Sequence, residues 1–230
     1  MIGIAGALAG DGPSSQDFLW VSIPAGYFPM PIEDTSNCLR TAEAIISDVT
    51  NGDRRDQARA LVGTLEVFLD DLAAVGAVYC GIGRHASPAD ETVVTSTLVV
   101  SHQNYEGTRN PRLLLSDILH AKSEADEQGE ANLVDVLERP VLFFEWVRSM
   151  PTPRFPTQPE IDNDSTTPVF QLEAHVPSDD GSELAVIEFS TPFIHHGPMF
   201  RTMIVEMTAS ISFEPPKKSG SSSRIQQLLG

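Results

Sequence analysis

The sequence predicts an α+β fold, a mainly antiparallel sheet flanked by helices. Three observations carry that reading. Short runs rich in β-branched and aromatic residues recur along the chain, and most are joined to the next by a hairpin-length turn. Amphipathic runs at helical spacing lie between them without alternating strictly with single strands, so no series of βαβ units is expected. A chain of 230 residues, 41% hydrophobic and 20% charged, is also long and apolar enough to close around a sizeable core.

The elements follow in order. Residues 1–16 open on MIGIAGALAG and the break DGPSS, and read as a flexible arm. Phe18–Ile23 is a strand, followed by PAGYFPMP, whose prolines exclude a helix. Asp34-Thr35-Ser36 offers capping oxygens to a helix with Leu39, Ala42, Ile45, Ile46 and Val49 on one face. A second helix carries Leu61, Leu65, Phe68, Leu69 and Leu72 at helical spacing and ends at Gly76. Ala77–Ile82 and Thr92–Ser101 are strands, and Pro111–Glu127 is a helix with proline suitably in its first turn. Leu133–Leu137 and Val141–Val147 form a hairpin around Glu138-Arg139-Pro140. Met150–Thr167 is a proline-rich surface loop. Val169–Val176 and Leu184–Ser190 form a further hairpin, turned at Asp180-Gly181. A helix then begins near Pro198, with Met199, Phe200, Met203, Ile204 and Met207 as its apolar stripe, and Ile211–Phe213 closes the sheet. The order is β-α-α-β-β-α-β-β-β-β-α-β, a single domain over 17–214, and the Ser/Gly-rich stretch 215–230 reads as a disordered tail.

Charge limits the function classes. The 15 Lys+Arg against 32 Asp+Glu give a net charge of −17, a field that repels nucleic-acid phosphates and favours a basic protein partner. No apolar run reaches the length of a membrane span. The N-terminus lacks the basic flank of a secretory signal, and the only cysteines, Cys38 and Cys80, suit two buried free thiols. A cytoplasmic location is the expectation.

Each candidate for chemistry meets a plainer explanation. Gly81-Ile82-Gly83-Arg84-His85-Ala86 matches a G-x-G-x-x-A dinucleotide pattern, but a loop and a strand follow where the phosphate-binding helix is required. Cys80 and His85 could pair as nucleophile and base, yet no third group orients them, and alternation turns Cys80 to the core. The six histidines, His85, His102, His120, His175, His195 and His196, show no metal-ligand spacing. Acidic pairs such as Asp70-Asp71 and Asp179-Asp180 fall on helix surfaces and turns. His195 and His196 precede a helix N-terminus, whose dipole opposes protonation, so neutral rings with local hydrogen bonds are expected. No catalytic residue, no metal and no cofactor is therefore assigned.

The two ends of the chain carry a resemblance. FLWVSIPAGYFPMP runs from a strand into Ile23-Pro24-Ala25-Gly26-Tyr27, and the closing segment places Phe200, Met207, Ser210 and Phe213 at the spacing "F…M..S..F". Together they resemble the PsbP-like α/β/α sandwich shared by photosystem-associated lumen proteins, a Ran-binding nuclear import factor and LpqN-type mycobacterial proteins. The chain is also similar to uncharacterised actinobacterial proteins. The resemblance implies a non-enzymatic module that docks to protein partners and brings no catalytic residues with it. The expected contact residues are Phe155 in the proline-rich loop and Ile225, Leu228 and Leu229 in the tail. Two alternatives stand beside it: an accessory or chaperone subunit of a larger actinobacterial assembly such as a secretion system, and an enzyme with an unrecognised site.

Overall fold

Alternating strands and two amphipathic helical faces decide the architecture. The structure, a computed structural model, describes residues 2–5, 18–49, 52–87, 90–125, 128–151 and 166–215. The long strands are β4 (Ala77–Ala86), β5 (Val93–Asn104), β7 (Arg139–Pro151), β8 (Thr166–Pro177) and β9 (Glu183–Thr191). With the shorter β3 (Tyr27–Pro29) and β6 (Glu130–Val136) they form a seven-stranded sheet of order β3-β4-β5-β9-β8-β7-β6. Every neighbouring pair is antiparallel. A separate two-stranded sheet joins β1 (Ile2–Ala5) to β2 (Phe18–Val21). The mainly antiparallel α+β fold expected from the sequence is thus present.

Period-two alternation sends successive residues to opposite faces, and each face is covered differently. On one face, Ala185, Ile187 and Phe189 of β9 join Leu98, Val100, Phe170, Leu172 and Ala174. They are covered by Leu19 and Val21 of β2 and by Ile204 and Met207 of α4 (Arg201–Ser210). On the other face, Leu69 of α2 (Asp53–Ala74) and Leu39 of α1 (Thr35–Val49) cover Cys80 and Val99. Beside them, Leu114 of α3 (Pro111–Glu124) covers Leu184 and Val186. The Asn110 side chain caps α3, accepting from the backbone N–H groups of Arg112 and Leu113.

The ends of the domain are tied together. Trp20 and Ser212 form an isolated antiparallel bridge, and Ser22 N–H donates to Ser210 Oγ at 2.9 Å. The residues behind the sequence resemblance therefore meet in space. The predicted final strand is reduced to that one bridge. A short edge strand, β3, occupies the segment the prolines had marked as a turn, since an edge strand tolerates proline. β7 and β8 extend to Pro151 and Thr166 and take up both ends of the segment assigned to the loop. Residues 2–5, placed in the N-terminal arm from sequence, pair with β2.

Some single residues also differ from expectation. Cys38 is exposed and only Cys80 is buried, both as free thiols. Cys38 lies one position before the inward-facing Leu39, on the solvent side of α1. Phe68 and Met199 are exposed as well. Met199 lies in a 3₁₀ turn, Gly197–Phe200, whose tighter winding carries it off the α-helical stripe. The side chains of Ile45, Ile46, Val49 and Leu61 lie outside the described set.

Candidate functional site

β6 and β7 form a hairpin closed by Leu137 and Glu138, with Val136 opposite Arg139. Both turn residues have positive φ, 49° and 67°, the left-handed pair that a two-residue type I′ turn requires. Asparagine and glycine are the usual occupants. Here a leucine and a glutamate adopt the conformation, which is strained for a bulky side chain, and Leu137 is 79% exposed.

That turn sets the direction of every backbone group on β6. Residues flanking a two-residue turn share a hydrogen-bonded pair, and the pattern alternates from there. Val136, Val134, Asn132 and Glu130 thus direct their backbone groups to β7. Asp135, Leu133 and Ala131 direct theirs away from the sheet. Pro140 lies opposite Asp135, where no bond to β6 is required. Among the described residues no strand lies beyond β6, and every β6 residue except Val136 is exposed. Leu133 and Val134, on opposite faces, are 47% and 44% exposed. Natural sheets blunt such edges with prolines or very short strands. The other edge obeys that rule, since β3 has three residues and ends on Pro29. The β6 edge has neither a proline nor a short strand, and its charged residues are Glu130 and Asp135.

The flanks of the edge are fixed by charge pairs. On one side Arg112 of α3 holds Asp135 of β6 through two bonds of 2.6 and 2.8 Å. On the other, Arg201 of α4 holds Glu145 of β7 through two bonds of 2.7 and 2.6 Å. Leu113 and Val205 are exposed apolar residues on the same two helices.

A nearly buried cluster holds α3 to the sheet behind this edge. The Lys122 ammonium lies 2.7 Å from Glu173 and 4.7 Å from the ring centroids of both Phe144 and Trp146. His175 Nε2 lies 3.0 Å from the same carboxylate. Burial pushes the Glu173 carboxyl up, but hydrogen bonds from His175 and Lys122 outweigh burial and hold it below the usual range. Directly opposite on β9 stands Glu188. Burial raises its carboxyl, and the Glu173 charge adds to the shift. Two carboxylates with separated affinities for a proton are the pattern of an acid–base pair. Glu173, however, is enclosed beneath α3 with its charge engaged, so the cluster acts as a clamp.

Glu188 supplies a prediction. Its folded-state affinity for a proton exceeds the unfolded one, so its contribution to stability is fully present at low pH. That contribution is lost as pH rises from the ordinary 4.5 through the raised folded value. Glu188→Gln removes the like charge opposite Glu173 and is expected to stabilise the protein by up to about 1 kcal/mol at neutral pH. Thermal melts across pH check this, because the gain should vanish below the carboxylate range.

The residues singled out from sequence fall elsewhere. Phe155, Ile225, Leu228 and Leu229 lie outside the described residues. Cys80 is buried against α2, its thiol pushed up to about 11 by burial, and it faces away from His85, five positions on in the same strand. A thiol raised so far is no nucleophile at neutral pH. Gly81 and Gly83 lie within β4, where an added Cβ at Gly81 would meet Tyr79 and one at Gly83 would meet Tyr27, His85 and Ser96. They make room for rings, not for a phosphate. His196 approaches Asp90 at 3.3 Å, a distant partner in sequence where a local one was expected. Among the described residues no group of three or more His, Cys, Asp or Glu is arranged to hold a metal ion. No described helix is long and apolar enough to cross a membrane.

The β6 edge was not singled out from sequence. The signal available was Leu133-Val134 between acidic residues with no charge of its own. The turn was placed one residue late because Leu137-Glu138 carries none of the usual turn chemistry. Compared with known proteins, the chain matches no protein-family model and no curated protein.

Proposed function

We propose that the chain is a non-enzymatic protein-binding module that takes up an extended segment of a partner along β6. The single observation behind this reading is the edge itself. β6 is seven residues long, carries outward backbone groups and exposed apolar side chains on both faces, and among the described residues has no proline and no strand over it; its only edge charges, Glu130 and Asp135, lie toward its ends. The rest of the fold fits that use. The α3 clamp seats that helix on β7 and β8 beside the edge, and the two arginine pairs orient the side chains on its flanks, so a partner segment meets a preformed template. A docking role is also what the resemblance of the two chain ends to PsbP-like proteins implies.

Leu133→Pro tests the proposal. It removes one outward N–H and leaves the bonds to β7 intact, so stability should stay within about 1 kcal/mol of wild type. Val134→Pro, one residue on, removes a bond within the hairpin and should destabilise the protein. Linear peptides selected from a random display library on the wild-type chain should lose binding to the Leu133→Pro protein. Selected peptides that bind both proteins equally well would refute uptake at β6.

A further inference from the structure

We infer that the segment taken up at β6 is basic at the end that passes the hairpin tip, and that its lysine or arginine side chains seat in an acidic cleft there. The inference rests on the proposed strand uptake and names the chemistry of the partner.

The cleft lies at the end of the sheet where β6 turns into β7, on the β7–β8–β9 side of that turn. Arg139, whose backbone pairs with Val136, forms one wall of an open hollow of about 450 Å³. Asp179, Asp180, Glu183 and Glu214 line the remainder with Ser178, Ser182, Ser212 and Phe213. Of these carboxylates Glu183 is held by His102, whose Nε2 lies 2.8 Å from it, and the Arg139 guanidinium is engaged within the fold. Arg139 donates to the Ile211 carbonyl at 2.9 Å, lies 3.6 Å from Asp179, and rests over the Phe213 ring. Asp180 is tied into its own turn by Ser178 and Ser182. Glu214 is exposed on the rim, and Asp179, though it lies 3.6 Å from Arg139, keeps 92% of its side chain exposed there. Glu138, at the tip of the hairpin, continues the same charge toward β6, and Glu130 stands at the far end of the strand.

The cations beside the edge are satisfied within the fold, Arg112 by Asp135 and Arg201 by Glu145. What an incoming strand meets is therefore an apolar centre at Leu133 and Val134 with negative charge at both ends. The complement is an extended segment with alternating apolar residues and terminal lysine or arginine. A second copy of this chain is the poorer occupant, because each copy carries −17 and would present the same acidic ends. Local charge of this kind sets partner choice and encounter rate more than affinity.

The test uses peptides taken from the random-library selection and synthesised in two forms, one with terminal lysines and one with those lysines replaced by glutamine. Binding is measured by fluorescence anisotropy to the wild-type chain, to Leu133→Pro, and to the doubly substituted Asp179→Asn, Glu214→Gln protein. The expected result is that the lysine form binds wild type about threefold to tenfold more tightly than the glutamine form. That advantage should disappear in the doubly substituted protein and shrink as salt is raised. If both forms bind wild type equally and both are lost on Leu133→Pro, the charge inference is overturned and strand uptake stands. Peptides that bind Leu133→Pro as well as wild type overturn strand uptake and the inference with it. Light scattering provides the remaining outcome: a wild-type dimer made monomeric by Leu133→Pro would assign the edge to a second copy and overturn the basic partner.

Discussion

Replacing Glu173 by glutamine is expected to destabilise the protein by about 3 kcal/mol, seen in chemical denaturation at neutral pH. The size follows from enclosure. The Lys122 and Glu173 side chains are 13% and 9% exposed, so the ammonium that loses its carboxylate cannot regain water without lifting α3. His175, on the same carboxylate, loses a partner as well. Lys122→Met combined with Glu173→Gln should destabilise less than the two changes summed, because neither member of the pair is then left charged without the other. The pH dependence has a definite sign. The folded-state carboxyl lies below its ordinary value, so its stabilisation is present above the unfolded value and is lost as pH falls through the folded one. Glu173→Gln should therefore flatten the acid side of the stability profile. Glu188→Gln acts on the opposite sense, though the two residues stand opposite each other on adjacent strands.

The clamp also connects stability to the proposed binding edge. α3 meets the sheet through Leu114, Leu115 and Lys122, and its first turn holds β6 through Arg112 and Asp135. A loosened clamp lets the helix shift at its far end as well, and the edge loses one of its two rigid flanks. Weaker peptide uptake in Glu173→Gln than in wild type is the corresponding expectation, while Leu133→Pro weakens uptake with stability retained. The two variants separate a template that is misplaced from one that is blocked.

Much of the fold was legible because the chemistry of its elements is local. Asn110-Pro111 caps and starts α3 as expected, and Asp180-Gly181 turns β8 into β9, with Gly181 at φ 66°. β4, β5, β8 and β9 follow their β-branched runs. What was not legible depends on neighbours. The Leu137-Glu138 turn is imposed by the pairing of β6 with β7, not by preference of those residues. β3 exists because β4 presents a free edge to a proline-containing segment. Glu173 and Lys122 lie 51 positions apart in sequence, and nothing at either position announces the pair. The candidate edge escaped for a further reason. An exposed strand is defined by the absence of a neighbour, and sequence periodicity reports which face is buried, not whether a strand has one partner or two.

Phe189→Ala is expected to have the largest effect, a loss of about 4 kcal/mol. Phe189 is fully buried in β9, stacked on Phe200 at 4.7 Å between ring centroids and edge-on to Phe170 at 6.3 Å. It therefore joins the sheet to the 3₁₀ turn that introduces α4, and its removal leaves a hollow that a sheet strand cannot close. Phe200 would keep only the edge contact with His85 among its ring neighbours. Chemical denaturation measures the loss, and a value under about 1 kcal/mol would contradict the packing of α4 on that face. Phe189 and Glu173 face opposite sides of the sheet but are diagonal neighbours on adjacent strands, so a double-mutant cycle of Phe189→Ala and Glu173→Gln measures how far one face feels the other, with a coupling of about 0.5 kcal/mol or less expected if the strands hold their place. Additivity is the thermodynamic signature of two independent layers on one sheet. A coupling larger than that would mean the sheet bends when either face is opened, and a change in the α4 core would then reach the β6 edge through the strands themselves.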